Sequence, residues 1–356
     1  MLQKKKVLEY ICQQIRELVA VNRMGTAQNY KTVYNSLSSY LQSVHQTDLA
    51  FQNLVPEMVV GYEQWLHCNG VTRNSSSCYL RILRACYNKY VSEQFDEHRR
   101  CRQPDEIRGR KNRHTVLASS TSLFADVYMG IAKTRKRAIS SADLSRLAKL
   151  DIRKALIQQG KDAHRKGFDE CVERLSRSRD FFLFCFCSRG LTFVDLAYLS
   201  EENVVDGVIH YFRRKTGQEM TVKIEPQMSR ILAKYRKMKA SHSRYLFPMI
   251  SSDIPSEAHW QYRHALCRYN HDLHTLGELL RITASHACRN VTLTSYVSRH
   301  TWATCAHHGN IPISVISQAM GHSSVHTTEI YLKSFEQSVV DDANHKLMAQ
   351  IFSCNS

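Results

Sequence analysis

Apolar residues recur at helical spacing through most of this chain, and this periodicity limits the possible fold more than any other feature. In the N-terminal part, four apolar stripes repeat every three or four positions and are separated at Gly25, at Pro56 and at residues 69–70. Such spacing places the apolar side chains on one face of each helix. Gly25 is expected to stop the first helix and Thr26 to cap the second. Residues 1–96 are therefore predicted to form a small helical domain.

The middle of the chain contains an alternating pattern instead. Residues 204–212 and 220–224 alternate apolar and polar positions around a turn at 215–217, which predicts a hairpin of short strands. A buried helix is predicted over 181–186, and helices are predicted for most of the remainder. The expected fold class is mainly α with a small β-hairpin, the second domain being of α+β type over 122–335.

Two further segments complete the predicted organisation. Residues 97–121 lack periodicity and are rich in arginine, which is typical of a basic interdomain linker. Residues 336–356 have apolar residues at helical spacing and are predicted to be a tail helix that docks on a neighbouring protomer. A helix cap is predicted at 140–143.

The charge balance favours a polyanionic partner. Lys and Arg total 49 against 32 Asp and Glu, a formal net charge of +17. Such a surplus creates a positive field suited to nucleic acid. A basic protein without a nucleic-acid role, or one on an anionic membrane, are the alternatives, but no long basic amphipathic helix is evident. No apolar run reaches the ~20 residues of a membrane span, and the N-terminus does not resemble a signal peptide, so a cytosolic location is expected.

Basic side chains that could contact DNA lie outside the apolar stripes. The candidates fall on the fourth helix, in the linker and in a basic cluster at 133–137, and they are Arg81, Arg84, Lys89, Arg108, Arg110, Lys111, Arg135 and Arg137. Such residues can position a protein on DNA phosphates. An ordinary solvated face is the alternative for any one of them.

Neither cysteine nor histidine spacing indicates a metal site. The 12 cysteines are scattered, without paired C-x-x-C motifs, and Cys185 and Cys187 lie within an apolar run. They are interpreted as small buried hydrophobic residues in a reducing compartment. His307 and His308 lack a carboxylate at metalloprotease spacing. No metal is expected.

The C-terminal third contains an ordered set of polar residues. The run YVSRHTWAT begins at Tyr296 and contains Arg299; His322 lies 23 positions after Arg299, and Tyr331 lies nine positions after His322. Taken singly, Tyr331 is one of 17 tyrosines and would be a core or interface residue, and His322 would be a helix cap. Lys215 alone would be a soluble turn residue.

Together these residues resemble the signature of the tyrosine recombinases, the phage integrase family. The resemblance covers residues from about 134 to 335 and, more weakly, the first domain, which is similar to the family's SAM-like core-site-binding domain. The Tyr-x-x-Arg-His variant and the run RGLTFVD at 189–195 are similar to the subgroup on conjugative and mobilisable elements. The resemblance implies a two-domain, C-shaped DNA clamp. It also implies a site-specific recombinase that cleaves and rejoins DNA through a 3′-phosphotyrosine, without metal, ATP or cofactor.

The residue types suit that chemistry. Guanidinium groups bind phosphate oxygens bidentately and stay charged, which suits Arg299 and Arg189 to stabilising the transition state. The resemblance implies that Tyr331 is the nucleophile and that Lys215, in the hairpin turn, protonates the departing 5′ oxygen. His322, predicted to start a helix, would hydrogen-bond a non-bridging oxygen.

Two positions depart from the commoner family pattern. Tyr296 stands where many members have His; a phenol can donate to phosphate but transfers protons poorly near neutral pH. Thr192 stands at the position of the family's first arginine. Arg189, predicted to lie one helical turn earlier on the same face, is expected to reach the same phosphate. The expected catalytic set is Arg189, Lys215, Tyr296, Arg299, His322 and Tyr331.

The resemblance also implies partners. It implies double-stranded DNA with inverted-repeat core sites, a homotetramer on two sites, accessory DNA-bending proteins in some systems, and a place at the nucleoid in a bacterial cytosol. There is little room ahead of residue 26 for an arm-binding domain, so an invertase, a resolvase or an integrase without arm sites is expected. Two alternatives stay open: a catalytically inactive DNA-binding relative, and a monomeric type IB topoisomerase-like enzyme that relaxes DNA.

Overall fold

In the computed structural model the chain divides into two units, Met1–Thr134 and Arg135–Ser356. The structure describes residues 5–100, 122–132, 138–238, 243–283, 292–322 and 324–332. Residues 122–132, predicted to open the second domain, belong to the first unit, because Phe124 and its apolar neighbours pack into the first hydrophobic core. Most of the predicted linker, 101–121, lies outside the described residues.

The first unit contains the four helices that the periodicity predicts. They are α1 (Val7–Ala20), α2 (Met24–Ser43), α3 (Pro56–Cys68) and α4 (Arg73–Arg100). Their apolar faces meet in one core, in which Leu37, Leu66 and Leu80 are buried. Pro56 begins α3, where its missing N–H costs nothing, and Gly70 follows its end with φ +74°.

Two helix boundaries in this unit differ from the prediction. Gly25 does not stop α1, and Thr26 does not cap α2; α1 ends at Ala20, the turn uses Asn22 with φ +57°, and Gly25 lies in the first turn of α2. Asparagine tolerates the left-handed region better than most residues, so it can serve where glycine was expected. Helix α4 continues to Arg100, into the segment predicted to be linker.

The second unit combines helices with one small sheet. Its elements are α5 (Ser141–Lys149), α6 (Ile152–Gln158), α7 (Phe168–Cys187), α8 (Phe193–Ala197), β1 (Val204–Val205), β2 (Val208–Phe212), β3 (Glu219–Lys223), α9 (Pro226–Met238), α10 (Pro255–Thr283), α11 (Val297–His308), α12 (Ile313–Ala319) and α13 (Val325–Leu332). The predicted cap of α5 is confirmed, because the Ser140 hydroxyl accepts the Asp143 N–H at 3.0 Å. Helix α7 supplies the centre of the core through Phe182, Phe184 and Cys185.

The sheet is antiparallel, with strand order β1-β2-β3. In the register of β2 and β3, Ile209 pairs with Val222 and Tyr211 with Met220, and all four are buried. The predicted hairpin is thus present, and Val204–Val205 adds a short third strand at its edge. The fold class, mainly helical with a small antiparallel sheet, is confirmed.

The cysteines do not all fit one interpretation. Cys86 and Cys185 are buried as predicted, but Cys68 and Cys267 are exposed. Within the described segments, no helix is long and apolar enough to cross a membrane.

Candidate active site

Arg299 is a buried cation whose guanidinium is held by main-chain oxygens. It lies in the first turn of α11 and is 3% exposed. Its Nη1 donates to the Gly190 carbonyl at 2.7 Å, and its Nη2 donates to the Met320 carbonyl. Nη2 also lies 2.9 Å from Nε2 of His322. A buried charge is tolerated only with such partners, so three separate segments are arranged around this side chain.

The turn between α7 and α8 brings the backbone against Arg299. Gly190 has φ +74°, and a Cβ atom there would lie 3.0 Å from both Cα and Cγ of Arg299. Only glycine combines that conformation with so close an approach. The sequence therefore places glycine where the turn must contact α11.

This turn corrects the predicted geometry of Arg189. Arg189 and Gly190 both have positive φ, α7 ends at Cys187, and the Thr192 side chain caps α8. Arg189 and Thr192 therefore do not share a helical face. Nη1 of Arg189 points to β3, where it donates to the Thr221 carbonyl at 3.3 Å.

His322 is a half-buried imidazole between two other elements. It does not start a helix as predicted: it precedes α13, which begins at Val325. Its Nδ1 is 2.7 Å from Oγ1 of Thr328, and its Nε2 faces Arg299. Burial, followed by the positive charges of Arg299, Arg213 and Lys215, lowers the pKa of His322 to about 4. The imidazole is therefore neutral near neutral pH.

Arg213 is a second buried cation at this site, and sequence reasoning missed it. It directly follows β2, is 6% exposed, and donates through Nη1 to the Gly321 carbonyl. A Cβ atom on Gly321 would lie 2.8 Å from Cδ of Arg213. The signal in the sequence was the strand alternation, which places Arg213 on the same inward face as Ile209 and Tyr211. A cation on a buried face is unusual enough to mark a site.

Lys215 is exposed in the β2-β3 turn, and hydrogen bonds at the start of this turn hold it in place. The Arg213 carbonyl accepts the N–H of Gly217 at 2.7 Å, which closes the turn. Asp195, from α8, accepts the N–H of Arg214 at 2.9 Å and the hydroxyl of Thr192 at 2.6 Å. Asp195 thus joins α8 to the hairpin that carries Lys215.

Tyr331 lies in α13, but its side chain is outside the described residues. Thr328, one helical turn earlier, is fully buried and contacts His322. This contact fastens the helix of Tyr331 to the imidazole. The spacing that singled out Tyr331 in the sequence therefore corresponds to a direct link between its helix and His322.

Two family models match this chain. The phage integrase SAM-like domain matches residues 6–99, and the phage integrase family model matches residues 179–338. The matches are consecutive, they correspond to the two units, and together they cover more than half of the chain.

The chain belongs to the phage integrase family. The family resemblance inferred from its motifs is thereby confirmed, and the chain is a tyrosine recombinase by family. No curated protein sequence matches it significantly.

Solved structures of integrases share the fold of this family member at low sequence identity. The Tn1549 transposon integrase in complex with transposon right end DNA has a TM-score of 0.60 and 14% identity, covering 97% of this chain and 100% of that one. A lambda integrase dimer bound to a COC′ core site has a TM-score of 0.56 and 11% identity, covering 93% and 98%. XerH bound to difH has a TM-score of 0.53 and 13% identity, covering 93% and 83%.

The two departures from the family pattern border one small cleft. Thr192, Tyr296 and Arg299 line a cavity of about 60 Å³ together with Tyr262. Tyr296 precedes α11 and is 44% exposed, so its ring lies beside Arg299 at the rim of the site. Thr192 faces the same space with a much shorter side chain than an arginine.

The predicted DNA-binding residues fall into three groups. Lys89 is 2.8 Å from a Glu17 carboxylate oxygen and 2.6 Å from Oε1 of Gln14, so it braces α4 against α1. Arg81 lies on the exposed face of α4, and Arg84 is partly buried on the same helix. The remaining five candidates, Arg108, Arg110, Lys111, Arg135 and Arg137, lie outside the described residues.

A larger cavity in the second unit lies away from this site. It measures about 640 Å³ between α7 and α10, and is lined by aromatic residues and by the ion pair of Arg174 with Asp272. None of the predicted catalytic residues lines it. Among the described residues, no group of three or more His, Cys, Asp or Glu side chains is placed to hold a metal ion.

Proposed function

We propose that this integrase-family chain is a site-specific DNA recombinase that cleaves a strand with Tyr331 and rejoins it to a new end. Family membership supports the reaction class. One observation carries the residue assignment: Arg299, Arg213 and Lys215 come from separate elements, and all three positive charges act on His322, whose neighbour Thr328 lies on the helix of Tyr331. Four groups that can bind or protonate phosphate oxygens thus surround one position.

Arg299 and Arg213 would clamp the two non-bridging oxygens of the scissile phosphate. In the free protein their guanidiniums donate to the carbonyls of Gly190, Met320 and Gly321, which fixes their orientation before DNA arrives. Donors that are already oriented stabilise the charge that develops in the transition state without reorganisation. A guanidinium can hold its carbonyl and still present other N–H groups to a phosphate.

Arg213 supplies the second guanidinium more directly than Arg189 in this proposal. It is buried beside His322, whereas Arg189 points to the main chain of β3. Thr192, at the expected arginine position, instead donates its hydroxyl to Asp195. The role that the sequence predicts for Arg189 is a hypothesis, which the substitution Arg189→Lys tests.

Cleavage would proceed by in-line displacement. The Tyr331 hydroxyl gives up its proton to solvent, and its oxygen forms a bond to phosphorus while the bond from phosphorus to the 5′ oxygen breaks. This leaves a 3′-phosphotyrosine and a free 5′ hydroxyl. The Lys215 ammonium donates the proton that the departing oxygen takes up. Because the phosphotyrosine conserves the energy of the broken bond, a new 5′ hydroxyl can reverse the step without ATP.

The substrate in this proposal is double-stranded DNA with inverted-repeat core sites, held by both units of each protomer. Four protomers on two sites would exchange strands in pairs, in the cytosol where the DNA is found. The tail predicted over 336–356, outside the described residues, would join neighbouring protomers. The net charge of +17 supports a polyanionic substrate.

A nicked suicide substrate tests the proposal. The duplexes are made from the flanks of the gene and are nicked just beyond the cleavage position. On cleavage, the short fragment that carries the new 5′ hydroxyl dissociates and cannot be rejoined. The covalent complex therefore accumulates, and it migrates slowly on denaturing gels. We expect the parent and Tyr79→Phe, a matched change on α4, to form this complex and Tyr331→Phe to form none.

Each other result points to a different protein. Binding of the duplex without any covalent complex would indicate the inactive DNA-binding relative. Relaxation of supercoiled plasmids that lack the flanking repeats would indicate the topoisomerase-like enzyme. A covalent complex formed by Tyr331→Phe would exclude Tyr331 as the nucleophile.

A further inference from the structure

Thr328 holds the imidazole of His322 through a hydroxyl that is shielded from water. Its side chain is fully buried, and Oγ1 lies 2.7 Å from Nδ1. The opposite ring nitrogen, Nε2, lies 2.9 Å from Nη2 of Arg299. Both nitrogens of this ring are therefore engaged, one with a hydroxyl and the other with a guanidinium.

The partners determine which nitrogen carries the proton in the free protein. A guanidinium has donors and no acceptor, so Nε2 must accept from Arg299. The ring is neutral, and its single proton therefore lies on Nδ1, from which it is donated to Oγ1 of Thr328. The three cations facing this ring, Arg299 from α11, Arg213 after β2 and Lys215 in the hairpin turn, all oppose a second proton.

The proposed function requires the other arrangement when DNA is bound. A non-bridging phosphate oxygen only accepts, so Nε2 must carry a proton to bind it. The ring can meet this demand while neutral if it releases the Nδ1 proton to solvent and takes up one proton from solvent at Nε2, so that one proton is gained for each one lost. Nδ1 then becomes an acceptor, and its partner must donate.

We propose that Thr328 is a positioning residue that supports both tautomers of His322, accepting from Nδ1 before DNA binds and donating to it afterwards. A hydroxyl can do either, whereas a carboxylate or a main-chain carbonyl at the same place would hold the proton on Nδ1 permanently. Thr328 and Tyr331 share α13, so the same contact keeps the imidazole in register with the nucleophile's helix. This inference rests on the proposed function for its second half.

Two substitutions separate this role from simple packing. Thr328→Val keeps the shape and removes the hydroxyl, and Thr328→Ser keeps the hydroxyl. On the nicked substrate, we expect Thr328→Val to slow covalent-complex formation by about 10-fold or more, up to the ~100–1,000-fold typical of losing one oxyanion donor. Thr328→Ser should stay within about 3-fold of the parent, because the donor and acceptor remain.

A double variant tests whether Thr328 acts through the imidazole. The combination of His322→Ala with Thr328→Val should be no slower than His322→Ala alone, since the hydroxyl then has no ring to position. Thr301→Val is the matched control. It removes another fully buried hydroxyl, which lies on α11 and accepts the N–H of Ile139 at 3.1 Å. This control should lower the melting temperature yet leave the cleavage rate of the folded protein unchanged.

Nitrogen-15 NMR of histidine side chains reads the tautomer itself, with the His322 signals identified by their loss in His322→Ala. We expect a protonated Nδ1 in the free protein. In the complex of Tyr331→Phe with the uncut duplex we expect a protonated Nε2, a change that Thr328→Val should abolish. The proposal fails if the parent ring keeps its proton on Nδ1 with DNA, if both nitrogens are protonated there, or if Thr328→Val cleaves at the parental rate.

The proposed function can fail separately. If the parent forms no covalent complex with any duplex from its flanks, the recombinase assignment is at fault. If the parent cleaves and only the tautomer change is absent, the role of Thr328 is wrong and the recombinase assignment stands.

Discussion

Main-chain carbonyl groups orient the two buried arginine side chains at this site. Arg299 and Arg213 are almost fully buried, and their guanidiniums donate to the main-chain carbonyls of Gly190, Met320 and Gly321. A carbonyl oxygen orients a guanidinium and carries no net charge of its own. Burial of the His322 ring lowers its pKa, and the charges of Arg299, Arg213 and Lys215 lower it further.

Replacing Arg213 tests its assignment as the second guanidinium. Arg213→Lys keeps the charge and removes the planar fork, so we expect covalent-complex formation to fall by about 100-fold or more. Arg189→Lys should have a much smaller effect, because the Arg189 guanidinium donates to the Thr221 carbonyl of β3. Arg236→Lys, in an exposed pair with Glu201, is the matched control and should behave as the parent. Equal losses in Arg213→Lys and Arg236→Lys would contradict the assignment.

The pKa of His322 predicts how stability depends on pH. Its folded pKa, about 4, lies below the ordinary value of 6.5, so between these values the unfolded chain binds more protons. The contribution of neutral His322 to the free energy of unfolding is therefore fully present above about pH 6.5, and it is lost as the pH falls towards 4. Between about pH 6.5 and pH 4, the free energy of unfolding should fall by about 1–3 kcal/mol less in His322→Gln than in the parent. Denaturant unfolding across this pH range measures the difference.

His326→Gln is the control for this measurement. His326 lies on α13 like Thr328, but it is exposed and pairs with Glu329. Its pH profile should run parallel to that of the parent. A His322→Gln profile that is also parallel to the parent would show that the imidazole titrates normally in the folded protein.

At the scale of elements, two turns position the cations. The α7-α8 turn brings the Gly190 carbonyl to Arg299, and the β2-β3 turn holds Arg213 and Lys215 next to each other. Asp195 connects the two turns, because it lies on α8 and its carboxylate accepts the N–H of Arg214 in the β2-β3 turn. Displacing either turn would therefore move charged groups that lie far apart in the sequence.

Gly190→Ala tests the first of these turns. The new Cβ would meet the Arg299 backbone at 3.0 Å, and its positive φ strains any L-residue by about 1–3 kcal/mol. Gly207→Ala is the matched control, since Gly207 has φ +75° with nothing within 4 Å of the added Cβ. Both should lower the free energy of unfolding, but only Gly190→Ala should also reduce DNA cleavage in the folded protein. Parental cleavage by Gly190→Ala would show that the site tolerates a displaced turn.

At the scale of the whole molecule, the two units divide the work expected of a recombinase. Each has its own apolar core, and each matches its own family model. All the candidate catalytic residues lie in the second unit. A protein with a net charge of +17 should bind DNA with an affinity that falls steeply as salt rises.

Removing residues 337–356 tests the proposed exchange of tails between protomers. We expect the truncated protein to bind a single core site as the parent does but to lose assembly on paired sites, measured by sedimentation with both duplexes. Its folding should be unchanged, measured by thermal unfolding. Full assembly by the truncated protein would show that the tail does not join protomers.

The sequence by itself determined the fold class, the family and the members of the site whose spacing is local. Helical and alternating periodicity predicted the elements because burial of an apolar face repeats with the geometry of the chain. Arg299 and His322 were singled out by the spacing of short motifs.

Only the tertiary structure placed the Arg213 guanidinium at the Gly321 carbonyl and the Thr328 hydroxyl at the His322 ring. Arg189 was favoured because a helix was assumed across a turn in which two successive residues have positive φ. Thr328 contacts His322 from only six residues further along the chain, whereas Arg213 donates to the Gly321 carbonyl across 108 residues of sequence. Contacts over such distances arise from packing, and no periodicity within one segment encodes them.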